Sequence, residues 1–260
     1  SGELADVSDP GGHDAPAVVL QHLGKSYAGV AALDGVTLEI RRGTVHCLVG
    51  GNGSGKSTLV KLLAGVVNGD ARGTVSVGNR TVATSGLTSR WARDAWLRFV
   101  HQDIGVFDDM TVAENLAVVT GYPTRSGGGI DWRQVGSNAR SLLERFGLDV
   151  DPATPAAALR PVARTMLAIA RALHDRANAG AGSVPGVLVL DEPTASLPEH
   201  ESAFLLNMLR RYASQGHTIV LITHHLSEVL AVADDISVLR DGRHVVTRPT
   251  EGLQYRELVE

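Results

Sequence analysis

A chain of 260 residues with a mass of 27.4 kDa fits one large α/β domain or two small ones. Its 43% hydrophobic and 20% charged residues exclude wholesale disorder, because such a chain can bury a core. The 24 basic and 28 acidic residues give a net charge of −4, which excludes a general attraction to nucleic acid or to anionic lipid.

Two features bear on the cellular compartment. No run reaches the roughly 18 apolar residues that cross a bilayer, and the first residues carry no signal sequence, so we expect a soluble, unsecreted chain. The single cysteine, Cys47, excludes an internal disulfide framework and a cysteine-built zinc site. Because Cys47 lies inside an apolar run, we predict that it is part of the core.

The first part of the chain predicts strands around a glycine loop. Residues 1–15 are rich in Gly, Asp, Pro and Ser without an apolar period, which is typical of a disordered leader or a cloning remnant. We therefore expect the folded domain to cover residues 16–260. Short apolar runs predict strands at Val18–Leu23, Val36–Ile40 and Thr44–Val49. Gly55–Leu63 has helical spacing, so a strand leads through a glycine loop into a helix, as at the entrance of an α/β domain.

The middle of the chain predicts helices, and strands return after it. We expect an inserted helical subdomain at about 85–178. Its predicted helices are Ser89–Phe99, Val112–Val119, Trp132–Phe146 and Arg164–Asp175. Predicted strands at Val187–Leu190 and Thr218–Ile222 flank a predicted helix at Glu199–Ala213. Short apolar strands that alternate with helices indicate a parallel sheet buried on both faces.

Residues 50–57 match the phosphate-loop pattern G-x-x-x-x-G-K-[ST] without a mismatch. Its glycines let backbone N–H groups curl around phosphate oxygens, and the following helix adds its positive end. We expect Lys56 to reach the β and γ phosphates and the Ser57 hydroxyl to bind Mg²⁺. The predicted nucleotide-binding residues of this segment are Gly50, Asn52, Gly53, Ser54, Gly55, Lys56, Ser57 and Thr58. A merely tight turn is the alternative, which the preceding strand and following helix disfavour.

Polar residues follow two of the predicted strands. Asp191 and Glu192 come directly after the first, at the edge where α/β sheets bind ligands. We predict that Asp191 holds the metal and that Glu192 polarises the attacking water. His224 follows the second strand, where its ring could donate to the γ-phosphate. The alternatives are two solvated acids and an ordinary surface or core histidine.

These residues together resemble a known family. Tyr27, the phosphate loop, Gln102, the segment 191–195 and His224 occur in the order and approximate spacing of ATP-binding cassette (ABC) ATPases, over about residues 17–248. The resemblance implies an α/β fold, namely a RecA-like P-loop NTPase core with an antiparallel β subdomain and an inserted α-helical subdomain. It also implies that Tyr27 stacks on adenine and that Gln102 senses Mg²⁺ and the membrane partner. Alternatively, Tyr27 is a half-buried strand aromatic and Gln102 an ordinary loop residue.

Three further segments, at 33–36, 100–103 and 111–116, resemble the monosaccharide importers of the ribose, galactose and xylose type. Their ATPases usually carry two cassettes in one polypeptide, and this chain resembles the N-terminal one. The resemblance implies ATP and Mg²⁺ as cofactors, a peripheral position on the cytoplasmic face of the membrane, and no nucleic acid. The implied partners are a second cassette, transmembrane permease subunits and, indirectly, a solute-binding protein.

One segment departs from the family. ABC ATPases place Leu-Ser-Gly-Gly-Gln before a helix, where its hydroxyl and amide groups bind the γ-phosphate held by the opposite cassette. Here residues 159–163 read Leu-Arg-Pro-Val-Ala. Pro161 has no N–H and Val162 has a branched Cβ, which favours a crippled signature. A rewired signature remains the alternative, because Arg160 could meet a phosphate through its guanidinium.

The sequence therefore predicts an ATPase that powers solute uptake and is very slow as an isolated chain. Three alternatives remain. The first is a regulatory cassette that holds nucleotide with little turnover, and the second is a soluble ABC protein that never meets a membrane. The third, a small-molecule P-loop kinase, is the weakest alternative, because it would not explain Gln102, His224 and the helix after Arg164 together.

Overall fold

The computed structural model of the protein describes residues 16–70, 72–100, 105–174 and 186–253. The strands are β1 (Pro16–Tyr27), β2 (Val30–Arg41), β3 (Val45–Val49), β4 (Thr74–Val77), β5 (Arg80–Ala83), β6 (Leu97–Val100), β7 (Val187–Asp191), β8 (Thr218–Ile222), β9 (Asp235–Arg240) and β10 (Arg243–Pro249). The helices are α1 (Lys56–Leu63), α2 (Ser89–Asp94), α3 (Val112–Thr120), α4 (Trp132–Arg145), α5 (Pro161–His174), α6 (Glu199–Ser214) and α7 (Leu226–Val232). The predicted leader, residues 1–15, lies outside the described residues.

An antiparallel sheet forms the first layer, with strand order β2-β1-β4-β5. Leu20 in β1 and Leu38 in β2 lie opposite each other in the register, and both side chains are buried. At the other end of this pair, Tyr27 is opposite Val30 across a two-residue turn. The first two predicted strands are thus confirmed, and the sheet supplies the antiparallel β subdomain.

The second sheet contains the rest of the core, with strand order β10-β9-β3-β8-β7-β6. The five strands from β9 to β6 are parallel, and β10 is antiparallel at the edge. β3, β7 and β8 are buried along their apolar residues, as expected for a parallel sheet covered on both faces. Cys47 is fully buried in β3, which confirms its prediction. The carboxyl ends of β3, β8 and β7 consequently lie side by side.

One predicted helix is wrong in its second half. Ser89–Asp94 is helical, but the chain then turns at Trp96 (φ 61°), and β6 pairs with β7 in the core sheet. A run as short as Leu97–Val100 is ambiguous between the helical and strand periods, and the ladder with β7 decides it. The first part of the predicted range 85–178 therefore contributes a strand to the core.

The remaining helices of this range pack on one another. Val112 and Leu116 of α3, Leu143 of α4 and Met166 of α5 belong to one buried apolar cluster. α5 begins at Pro161, three residues before the predicted start, because proline is well tolerated at the first position of a helix. The exact limits of the helical subdomain remain a prediction. Nowhere in the described residues does a helix have the length and apolar character of a membrane span.

Candidate nucleotide-binding site

The phosphate loop connects β3 to α1, and its lysine lies folded into it. The Lys56 ammonium donates hydrogen bonds to the carbonyl oxygens of Gly50 at 2.7 Å and Gly51 at 3.0 Å. Burial lowers the pKa of Lys56, and the nearby Glu192 and Asp191 carboxylates oppose that shift. The loop thus brings a desolvated cation to the two acids that end β7.

The first and last fixed glycines of the motif are required by their neighbours. A Cβ on Gly50 would lie 2.3 Å from the carbonyl oxygen of Leu239, and one on Gly55 would lie 2.7 Å from that of Ala32. Gly55 also has φ 103°, which a residue with a side chain rarely adopts. Any other residue at these two positions would therefore push the loop off β2 or β9.

The other predicted loop residues differ in exposure. Asn52, Gly53 and Ser57 are exposed and Thr58 is half-buried, whereas Ser54 is buried. Ser57 stands in the first turn of α1, where its hydroxyl can meet a ligand above the loop.

Glu192 and His224 meet across the ends of β7 and β8. His224 Nδ1 lies 2.9 Å from Glu192 Oε1, and the Glu192 amide donates to the Ile222 carbonyl oxygen at 2.9 Å. Glu192 has φ 49°, an uncommon conformation for a residue with a side chain. The pairing of Asp191 with Ile222 in the ladder holds this conformation, so both acids stand at the same sheet edge.

The residues beside His224 make different contacts. The His225 amide donates to the Thr223 hydroxyl at 3.0 Å, and that hydroxyl donates to buried Glu228 at 2.7 Å. The ring of His225 stacks on that of His224, with 4.0 Å between ring centroids. Of the two histidines, His224 is therefore the one in contact with Glu192.

Two predicted site residues lie at the margin of this geometry. Tyr27 is 45% exposed at the end of β1, with the Lys25 ammonium 4.9 Å from its ring centroid. Its partner Val30 is two residues before Ala32, which contacts the loop at Gly55. Tyr27 is therefore paired with a part of β2 that is close in sequence to the residue bordering the phosphate loop. Gln102 lies outside the described residues.

The start of α5, where the altered signature lies, is engaged within the chain. The Val162 amide donates to Glu201 Oε2 at 3.2 Å, and the Arg164 amide to the Arg160 carbonyl oxygen at 3.0 Å. Pro161 has no amide to donate, so two of the first-turn amides serve the fold and a third position has none. Glu201 is not among the residues predicted from the sequence, because an acid in the first turn of a helix is usually exposed and nothing in the sequence marks this one as buried.

The turn between β9 and β10 was also missed. The Gly242 amide donates to the Ser54 carbonyl oxygen at 3.1 Å, and the Gly242 carbonyl accepts from the Asp34 amide at 2.8 Å. A signal for this turn existed, since Asp-Gly between two strand-like runs predicts a hairpin. Its contact with the phosphate loop has no signal in the sequence.

A phosphate loop between a parallel strand and a helix, with acids at the end of a second parallel strand of the same sheet, defines a P-loop nucleotide-binding fold. The family described as ABC transporter matches residues 33–195, more than half of the chain. The chain belongs to the ABC transporter family, which confirms the resemblance.

Curated relatives agree with this family. The xylose import ATP-binding protein XylG of Geobacillus kaustophilus is 37% identical over 236 residues, which cover 90% of this chain and 44% of that protein. The ribose import ATP-binding protein RbsA 2 of Rubrobacter xylanophilus is 37% identical over 250 residues, with coverage of 96% and 46%. The chain therefore spans about half the length of the curated relatives it matches.

Solved structures share the fold. One is cbiO1 of Clostridium perfringens, part of an ABC transporter complex, with a TM-score of 0.76, 24% identity, and coverage of 94% of this chain and 91% of that one. Another is a dimeric bacterial ABC transporter cassette, with a TM-score of 0.71, 23% identity, and coverage of 91% and 100%. The predicted fold class is confirmed by these similarities and by the two sheets described above.

Proposed function

We propose that the chain is a nucleotide-binding domain, over residues 16–260, that binds and hydrolyses Mg·ATP. The observation that carries this proposal is the position of Lys56, whose ammonium is held by the Gly50 and Gly51 carbonyl oxygens inside a complete phosphate loop. The Asp191 and Glu192 carboxylates are near enough to oppose the lowering of the Lys56 pKa by burial. A cation, a glycine loop and strand-end carboxylates in this arrangement are the parts that phosphoryl transfer needs.

The phosphate-binding residues are those of the loop and the first turn of α1. Backbone amides from Gly50, Asn52, Gly53, Ser54 and Gly55 surround the phosphates, and Lys56, Ser57 and Thr58 close the end. Lys56 leaves its contacts with the Gly50 and Gly51 carbonyls and neutralises the β and γ phosphates, while Tyr27 covers the adenine.

The donor set fits Mg²⁺, which prefers oxygen ligands and takes only one or two of them from the protein beside the phosphates. The Ser57 hydroxyl and the Asp191 carboxylate are such donors, on α1 and at the end of β7, and Gln102 completes the set. When bound, Mg²⁺ neutralises charge on the transferred phosphoryl group.

Glu192 and His224 act on the attacking water and on the γ-phosphate. An ionised Glu192 only accepts hydrogen bonds, so at 2.9 Å His224 Nδ1 carries the proton. In a neutral ring Nε2 is then an acceptor, which would repel a phosphate oxygen. We therefore propose that the His224 ring leaves Glu192 before it donates to the γ-phosphate, which leaves Glu192 to orient the water.

We further propose that this domain powers the uptake of a small hydrophilic solute, a monosaccharide. The names of the relatives, which are xylose and ribose import ATP-binding proteins, support the solute class. The chain then sits at the cytoplasmic face of the membrane beside transmembrane permease subunits, with a solute-binding protein as an indirect partner. The helical part of the predicted range 85–178 then provides the permease contact, together with Gln102.

A second cassette is the remaining partner. The dimeric cassette among the solved structures supports pairing, and the length of the relatives supports a second cassette in the same polypeptide. Each composite site would join one phosphate loop to the other cassette's signature. The site of Lys56 and Glu192 is then hydrolytic, and the site that borrows residues 159–163 mainly holds nucleotide.

One observation favours a regulatory cassette as the second candidate. The Val162 amide already serves Glu201, and Pro161 contributes none, so the signature offers few donors to a phosphate. This candidate predicts that the chain binds nucleotide with little turnover, and that Glu192→Gln leaves the rate of ATP hydrolysis unchanged.

A calorimetric titration tests the proposal. We expect wild-type protein to bind Mg·ATP and Lys56→Ala to lose most of that affinity. Lys61→Ala removes an exposed lysine from the last turn of the same helix and should bind like the wild type. Equal affinity of the wild type and Lys56→Ala would overturn the proposal.

A further inference from the structure

The turn that joins β9 to β10 touches the phosphate loop and β2 at the same time. The Gly242 amide donates to the Ser54 carbonyl oxygen, inside the loop, at 3.1 Å, and the Gly242 carbonyl accepts from the Asp34 amide of β2 at 2.8 Å. One residue therefore joins the turn to the phosphate loop and to β2.

Side chains repeat the connection from β10 to β2. Arg243 Nε lies 2.9 Å from Asp34 Oδ2, and Arg243 Nη2 binds the same oxygen. Both side chains are largely exposed, and exposed pairs of this kind stabilise a fold very little. We call Asp34, Gly242 and Arg243 the bracket.

The bracket and its flanks pack tightly against the ends of the loop. The Leu239 carbonyl, at the end of β9, faces Gly50, and the Ala32 carbonyl and the Gly242 Cα face Gly55, with 3.4 Å between that Cα and a Cβ built on Gly55. Both ends of the loop are thus held by neighbouring backbone.

We propose that Asp34, Gly242 and Arg243 are positioning residues, which hold the phosphate loop in the shape that binds phosphate. They act on the loop through Ser54 and Gly55. A loop whose amides must converge on one ligand loses affinity when its support moves by a fraction of an ångström. The inference rests on the proposed function.

Gly242 carries the sharper test. It has φ 75°, and a Cβ there would lie 2.8 Å from the Ala32 carbonyl oxygen. Gly242→Ala must therefore move the turn away from β2 and weaken the bond to Ser54. Gly216→Ala is the matched control, because Gly216 has φ 91° and no atom within 4 Å of an added Cβ, in the turn before β8.

The experiment titrates Mg·ATP into wild type, Gly242→Ala and Gly216→Ala, and records thermal unfolding of each. We expect Gly242→Ala to bind about tenfold more weakly or worse, whereas Gly216→Ala shares the backbone strain and keeps wild-type affinity. A folded Gly242→Ala with wild-type affinity would overturn the inference, as would an equal loss in both variants.

A charge reversal covers the case in which Gly242→Ala does not fold. Asp34→Arg and Arg243→Asp should each weaken Mg·ATP binding by about two- to fivefold, and the double variant should recover most of that affinity. A purely structural role predicts no such rescue of affinity.

Failure of the wild type to bind, or equal binding by Lys56→Ala, would instead remove the proposed function itself. If Lys56→Ala fails to bind and the bracket variants bind normally, only the bracket is wrong.

Discussion

The N-termini of α1 and α5 differ in whether an acidic side chain of the same chain binds their backbone amides. No side chain caps α1 at Gly55, and its first turn holds no acid, so its amides and positive end remain available to a phosphate. At α5, the Glu201 carboxylate takes the Val162 amide. The helix start that we propose for phosphate binding therefore has no internal anion, whereas the start of α5 has one.

The neighbours of each helix start follow the same division. Around α1 lie Lys56, Asp191 and the Glu192–His224 pair, which are the residues that we propose for hydrolysis. Around α5 lie apolar Val162 and Ala163, both buried, and Arg160, which is exposed. The proposed ATP site and the altered signature are thus surrounded by different chemistry, and separate variants can affect each of them.

The largest effect is expected on transport. Glu192→Gln in the intact transporter should reduce solute uptake about a hundred- to thousandfold or more, because it removes the group that polarises the attacking water. Uptake of labelled solute and phosphate release measure it. Glu199→Gln, at an exposed acid in the first turn of α6, serves as the control. If only the equivalent change in a second cassette stops transport, the hydrolytic site is the one that borrows residues 159–163, and the proposed roles of the two composite sites are reversed.

The isolated 260-residue chain should hydrolyse ATP very slowly at any concentration. Two copies would pair each phosphate loop with the altered signature, and a lost transition-state donor costs about a hundred- to thousandfold in rate. In the intact protein the expectation differs, because residues 159–163 border the composite site that we propose mainly holds nucleotide. Restoring Ser-Gly-Gly-Gln at residues 160–163 should there raise transport turnover modestly or not at all. Steady-state phosphate release that matches an intact transporter and disappears in Glu192→Gln would show that this signature works.

The strand that leads to the phosphate loop should make stability pH-dependent. Burial lowers the pKa of His46 in β3 from 6.5 to about 4, with Asp235 opposing and His244 and Arg41 adding to the shift. Between these values the unfolded chain binds more protons, so stability is complete above about pH 6.5 and falls by about 3 kcal/mol toward pH 4.

Urea midpoints at pH 7 and pH 4.5 test this pH dependence. His46→Gln should flatten the difference, and His200→Gln, at an exposed histidine, should leave it unchanged. An unaltered difference in His46→Gln would assign the pH dependence to another group.

The smallest effect should follow from Glu201. Glu201→Ala leaves the buried Val162 amide without its acceptor and should lower the free energy of unfolding by about 1–3 kcal/mol. Glu201→Gln keeps an acceptor and should cost less. Both variants should bind Mg·ATP like the wild type, because the Lys56 site lies elsewhere. Loss of Mg·ATP affinity in Glu201→Gln would show that the two helix starts are coupled within one chain.

Much of the site could be predicted from the sequence, because its parts are local. The phosphate loop is a run of eight residues whose glycines and lysine are meaningful together, and Asp191 and Glu192 directly follow an apolar strand. The same holds for the departure at 159–163, where the absence of an amide in Pro161 is a property of one residue. Gln102 lies outside the described residues, so its predicted role stays a prediction, as do the catalytic roles of the others.

The sequence by itself determined five of the strands, the helix after the phosphate loop, the phosphate loop itself and the altered signature, since periodicity and residue chemistry act over a few neighbours. Tertiary structure alone decided that Leu97–Val100 is a strand, because the ladder with β7 outweighs an ambiguous local period. It also decided the contacts of His224 with Glu192, of Glu201 with Val162, and of Gly242 with Ser54 and Asp34. Each joins residues 32 or more positions apart, and such distances are fixed by how the sheets and helices pack.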